Sequence, residues 1–128
     1  MSYEIYPSEN RKYIVLKHYG EMNSEFGMNR VMEAHKLGAE MGITRYLVDL
    51  TEAKNIDPAY KSFKYAYDDM TTPSGIDRKA RVAMLVSPDD QSHDFVETVL
   101  RNAGHNVTLF RDRELAIKHL LKETGDTE

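Results

Sequence analysis

Apolar residues along this chain fall into short runs separated by segments with helical spacing. The runs are Ile14-Val15-Leu16, Tyr46-Leu47-Val48, Val82-Ala83-Met84-Leu85-Val86 and Val107-Thr108-Leu109-Phe110. Strands alternating with amphipathic helices bury their faces best as a layered α/β domain. The chain opens with two β-rich stretches, residues 3–6 and 13–19, around Pro7-Ser8-Glu9-Asn10. These predict an antiparallel hairpin, which Gly20 closes.

Asn23 or Ser24 can cap a helix running to about Met41, since either side chain accepts free backbone N–H groups. Phe26, Val31, Ala34, Leu37, Gly38 and Met41 fall on one stripe of it, and Gly42 supplies a left-handed stop. Gly27 and Gly38 lower the intrinsic helix preference, so packing has to supply the difference. Residues 46–50 predict the next strand and residues 51–56 a polar loop. Asp57-Pro58 predicts a helix start, with an acceptor at the N-cap and proline where no N–H is missed. That helix carries Ala59, Phe63, Ala66, Tyr67 and Met70 on one face and ends in the loop-like Thr71-Thr72-Pro73-Ser74-Gly75.

Residues 82–86 are apolar throughout, as in a central strand covered on both sides. Ser87-Pro88-Asp89-Asp90 predicts the start of a further helix with Phe95, Val96, Val99, Leu100 and Ala103 as its buried stripe, stopped by Gly104. Asp112 then caps a last helix burying Ala116, Ile117, Leu120 and Leu121. The predicted order is β-β-α-β-α-β-α-β-α: a five-stranded, mixed but mostly parallel sheet with four helices and an N-terminal antiparallel hairpin. It reads as a single domain over residues 1–123 with a frayed tail at 124–128.

Composition adds mainly exclusions. With 128 residues, 41% hydrophobic and 30% charged, the chain is sized for one ordinary core. Seventeen basic against 21 acidic residues give a net charge of −4, which argues against nucleic acid or an anionic membrane as partner. Arg78, Lys79 and Arg81 form a local basic group that reads as a solvated strand edge. The absence of cysteine rules out disulfides, thiolate catalysis and thiolate metal sites. No apolar run reaches membrane-spanning length and none near the start suits a signal peptide, so a cytoplasmic protein is expected.

The residues Arg45-Tyr46-Leu47-Val48-Asp49-Leu50, Arg81-Val82-Ala83-Met84-Leu85-Val86-Ser87 and the stretch from Ala103-Gly104-His105 to Phe110-Arg111-Asp112, followed by Ala116 and Leu120, carry a resemblance. Over residues 3–122 the chain resembles the SpoIIAA-like branch of the STAS, or anti-sigma-factor-antagonist, domains. These are mostly core and cap positions, so they speak for fold more than function. The resemblance implies a switch in which a serine at the helix start after the Leu47-Val48-Asp49-Leu50 strand is phosphorylated. The matching position, near Asp57-Pro58-Ala59, holds neither serine nor threonine, and Thr51 and Ser62 do not match the motif. The fold-level likeness of this branch to lipid-carrying Sec14-type domains implies a small apolar ligand as an alternative.

Candidate chemistry gathers at the carboxyl ends of the parallel strands, where ligands bind in open α/β sheets. Asp49, Thr51, Ser87 and Asp89 are expected to converge there. An enzyme could use Asp49 and the loop of residues 87–90 as a carboxylate base with hydroxyl donors. The structural alternative, in which Asp49 accepts backbone bonds from a neighbouring loop, is preferred because no histidine, lysine or phosphate loop accompanies the set. Asp89 and Asp90 are read as anions at a helix N-terminus rather than metal ligands, and no His pair has zinc spacing. Neither a metal nor a cofactor is expected.

Asp57, Tyr60 and Tyr65 on the helix after residue 56 are partner or ligand candidates, exposed tyrosines being good contact residues. They also motivate an expected two-fold homodimer. The preferred function is a non-enzymatic STAS-like module that recognises a protein partner or a small ligand without the usual phosphoserine switch. The alternatives are a carrier of an apolar ligand, with a cavity lined by Phe63, Met70 and Met84, and a small enzyme.

Overall fold

The computed structural model describes residues 2–56 and 79–122. In chain order the elements are β1 (Ser2–Pro7), β2 (Ile14–Met22), α1 (Ser24–Met41), β3 (Arg45–Asn55), β4 (Arg81–Leu85), α2 (Asp94–Asn102), β5 (Val107–Phe110) and α3 (Arg113–Leu120). The five strands form one sheet in the order β1-β2-β3-β4-β5. β1 runs antiparallel to β2, and every later neighbour is parallel. This is the expected mixed sheet. Three helices rather than four flank it among the described residues; the helix expected at 58–70 lies outside them. No helix among the described residues is long and apolar enough to cross a membrane.

Side chains alternate across each strand. On one side Ile14, Leu16 and Tyr46 pack with Ala34, Val31 and Leu37 of α1, while Leu50, Met84, Val86 and Val107 pack with Val96 of α2. Val48 and Val82 touch both groups and join them into one layer. On the other side Val15, Leu47, Ala83 and Leu85 pack against Ala116 and Leu120 of α3. Met84 is thus a packed core residue; Phe63 and Met70, the other residues expected to line an apolar cavity, lie outside the described residues.

The end of α1 fits the reading of its glycines. Gly42 takes a positive φ of 72° and stops the helix. At Gly38 an added Cβ would collide with the Tyr46 hydroxyl and come within 2.8 Å of the Ile43 carbonyl. Tyr46 donates to that carbonyl at 3.3 Å and stacks on His35 with ring centroids 4.4 Å apart, so Gly38 makes room for a buried ring.

The segment 51–56, expected as a loop, is mostly strand: β3 continues to Asn55 alongside a β2 that runs past Gly20 to Met22. Lys17 pairs with Asp49 and Tyr19 with Glu52, so β3 carries one extra residue between these pairs, a bulge. Beyond it Ala53, opposite Gly20, joins the Leu50 side of the sheet, while Glu52 reaches Lys17 at 2.9 Å. A short polar alternation gave little strand signal; pairing with β2 supplies what it lacks.

The segment 87–93 also departs from expectation. Its residues form turns, and α2 begins only at Asp94. Asp89 and Asp90 are therefore loop residues, and the acids in the first helical turn are Asp94 and Glu97. The N-cap, His93, makes no capping bond because its ring is turned into the interior. With that start, Val96, Val99 and Leu100 face inward, while Phe95 is 47% exposed and leaves the expected stripe.

The last helix follows the sequence. Asp112 accepts the amides of Glu114 at 2.8 Å and Leu115 at 3.2 Å. Its far end is tied down by two arginines. Arg81, expected at a solvated edge, donates to the carbonyls of His119, Leu120 and Lys122 at 3.1, 3.3 and 2.6 Å. Arg45, its register partner on β3, donates to Lys122 at 3.1 Å. The carbonyls at the negative end of the helix offset the repulsion between the two guanidinium groups.

Candidate functional site

The bulge in β3 brings Asp49 into a fixed network. Its Oδ1 accepts the Thr51 amide at 3.0 Å and the Thr51 hydroxyl at 2.7 Å, a side chain closing a local turn over the extra residue. Its Oδ2 takes the Arg113 guanidinium of α3 at 2.7 Å and lies 4.0 Å from the Lys17 ammonium. Asp49 is only 1% exposed. Burial would raise its pKa, but the Thr51 bonds and Arg113 outweigh this and hold the carboxyl below the usual range. The expectation that no lysine accompanies the set is corrected: Lys17 lies beside Asp49, and an arginine, Arg113, is there as well.

Ser87, just past β4, donates to the Thr51 carbonyl at 2.7 Å, which ties the ends of β3 and β4 together. The loop then turns, with the Asp90 amide bonded to the Ser87 carbonyl at 3.1 Å and Asp90 Oδ1 accepting the Ser92 amide at 2.8 Å. Ser92 is clamped to the end of β3. Its hydroxyl accepts the Asn55 amide at 3.1 Å, and its carbonyl accepts the Asn55 side-chain amide at 3.2 Å. Arg111 secures the outer side by donating to the Asp90 carbonyl at 3.2 Å and to Asp94 at 2.9 Å.

Between this loop and β3 lies an open polar cleft of about 390 Å³ lined by Lys54, Ser87, Asp89, Asp90, Gln91 and Ser92. Burial works to raise the Asp90 pKa; the Ser92 bonds, His93 and Lys54 prevail and lower it, so Asp90 is an anion at neutral pH. Thr51 and Ser87 are thus joined as expected, and Ser87 and Asp89 share the cleft. Asp49 is connected to them only through Thr51: its carboxylate points to α3 and lines no part of the cleft. Asp57, Tyr60 and Tyr65 lie outside the described residues, and so does the tyrosine surface behind the expected homodimer. Among the described residues, no group of three or more His, Asp or Glu side chains is placed to hold a metal ion.

No family model matches the sequence, and no curated protein does. Among solved structures, the chain is similar to an uncharacterized protein of the DUF3478 family from Shewanella loihica PV-4, which has a SpoIIAA-like fold. The match has a TM-score of 0.52 and 17% identity, and covers 93% of this chain and 92% of that one. The fold is SpoIIAA-like. At that identity the likeness extends to architecture and not to ligand or partner. In this SpoIIAA-like sheet the cleft sits beyond the carboxyl ends of β3 and β4, the position that open parallel sheets offer to ligands.

Several polar residues went unread: Lys17, His18, Arg30 and Arg113 gather around the middle of β2 and β3, beside the bulge. One signal was available: His18 continues the Ile14, Leu16 alternation onto the buried side of β2.

Proposed function

We propose that the chain is a cytoplasmic, non-enzymatic binding module whose working surface is the cleft between Lys54 and the 87–92 loop. The commitment of Asp49 carries this reading. A general base needs a free lone pair within reach of substrate and a pKa near the working pH. Asp49 instead spends both oxygens on Thr51, Arg113 and Lys17 and has its pKa moved away from neutrality. The neighbouring cleft presents an ammonium, two carboxylates, an amide and two hydroxyls on a loop fixed from both sides. That donor and acceptor set suits a polar small ligand or a polar segment of a protein partner.

A phosphoserine switch is no part of this proposal. No serine or threonine stands at 57–59, and the Thr51 hydroxyl is bonded to Asp49.

Affinity capture from native lysate tests the proposal, using wild type beside Lys54→Glu, Asp89→Lys and Asp49→Asn, with bound proteins and small molecules read by mass spectrometry. A species held by wild type and Asp49→Asn but lost from both cleft variants supports it. Conversion of a bound species to product, abolished in a folded Asp49→Asn variant, makes the chain an enzyme instead.

A further inference from the structure

Behind the cleft, on the α1 and α2 side of the sheet, three basic side chains meet from three elements. His18 of β2, Arg30 of α1 and His93 ahead of α2 are 1%, 6% and 1% exposed. Arg30 Nη1 lies 3.0 Å from His18 Nδ1. A guanidinium only donates, so His18 is neutral there, with its hydrogen on Nε2. His93 Nε2 lies 3.2 Å from the Ala53 carbonyl and 3.5 Å from Asp90 Oδ2. Both oxygens accept, so this nitrogen carries the hydrogen and Nδ1 is where a second proton would add.

We infer that His93 is a proton-operated latch on the cleft: the neutral ring holds the 87–92 loop against β3, and the protonated ring releases it. The inference rests on the cleft being the working surface and names its regulation. Five of the six lining residues, Ser87 and Asp89 to Ser92, belong to this one loop. The His93 bond to Ala53 lies beside the two bonds between Ser92 and Asn55, so withdrawal of the ring carries the far end of the loop off β3, with the Ser87 bond to Thr51 left as its near anchor.

Among the described residues, the charged and titratable groups acting on His93 come from several elements. Asp90 and Asp94 from its own segment favour the cation, as does the Ala53 carbonyl of β3. His18 of β2 interacts with His93 so that a charge on one disfavours a charge on the other, and Arg30 of α1 stands behind His18 as a fixed cation. Burial is the largest influence on His93 and the balance lowers its pKa. The imidazolium therefore forms below the ordinary histidine range and gains most by moving to water. Asp90, still ionised at that pH, moves with it as its counter-ion.

An NMR titration of the full chain from about pH 7.5 to about pH 4.5, through and below the ordinary histidine range, tests this. It would follow the His93 ring and the amides of Asn55, Ser92 and, as a core control, Ala83. The latch requires the Asn55 and Ser92 amides to change with the His93 midpoint while Ala83 stays put. Asp90→Asn, which removes a carboxylate favouring the cation, should lower that midpoint by about half a pH unit or more. His93→Gln keeps an N–H for Ala53 but cannot titrate, so its loop amides should not respond. The inference fails if those amides stay still while His93 titrates, if His93→Gln keeps the same transition, or if Asp90→Asn leaves the midpoint unchanged. The last two variants are independent, so one that does not fold leaves the other to decide. These readouts need no ligand, so their failure leaves the capture result for the cleft standing, and the reverse.

Discussion

Arg113, at the first position of α3, reaches back 64 residues in sequence to the buried Asp49 of β3, Nη2 to Oδ2 at 2.7 Å. The contact joins the helix on one side of the sheet to the bulge that shapes the other end of the strand. It also gives a charge at the interior edge a partner, without which its burial would be costly.

Asp49→Asn should therefore lower stability. The asparagine can still accept from Thr51, but its amide hydrogens would face the guanidinium, donor against donor. With Arg113 half exposed, the expected loss is about 1–3 kcal/mol. Urea unfolding measures it, and an unchanged midpoint would show that the pair contributes nothing.

Gly38→Ala should destabilise despite alanine's better helix propensity. The new methyl meets the Tyr46 hydroxyl and the Ile43 carbonyl, and overpacking of this kind costs about 1–3 kcal/mol against about 1 kcal/mol of propensity gain. Gly38→Ala combined with Tyr46→Phe should recover part of the loss, because the hydroxyl is the first atom struck. Thermal melts of the single and double variants decide.

Arg81→Met should loosen the end of α3. Three carbonyls lose a charged donor, for an expected cost of about 1.5–3 kcal/mol. Hydrogen exchange should show faster amide exchange in the last turn of α3 and little change in α1. Equal acceleration in both helices would assign Arg81 a role in global stability only.

Stability should fall in mild acid. Burial, with Arg30 and His93 acting the same way, pushes the His18 pKa from 6.5 down to about 4. The unfolded chain then binds the proton more readily, so the contribution is complete above about pH 6.5 and is lost as pH falls towards about 4. It amounts to something on the order of 3 kcal/mol. His18→Gln should flatten the stability curve in that window. A wild-type curve already flat between those limits would refute the assignment.

Local signals were read well from sequence. The apolar runs at 46–50, 82–86 and 107–110 became β3, β4 and β5, Gly42 ends α1, and Asp112 caps α3, each decided by residues within one turn or strand. What failed depended on distant partners. Residues 51–55 are strand because β2 runs beside them, and residues 87–93 are loop because Ser92 and His93 bind β3 rather than starting a helix. Of the expected site, Thr51 and Ser87 were joined as anticipated. The commitment of Asp49 was not legible, since nothing near it in sequence points to Arg113.

The extra residue at the bulge acts on side-chain alternation as a frameshift acts on a reading frame. Up to Leu50 the even-numbered positions of β3 face α1 and α2; after Thr51 the odd-numbered Ala53 does. The distal strand is thus decoded in a different phase, with Glu52 outward to Lys17 and only a small methyl inward. Replacing Thr51 with another residue leaves the phase intact, whereas adding one more residue beside it, with no second bulge to absorb it, would turn Glu52 and Lys54 into the core together. At this position the count of residues matters more than which residue is counted.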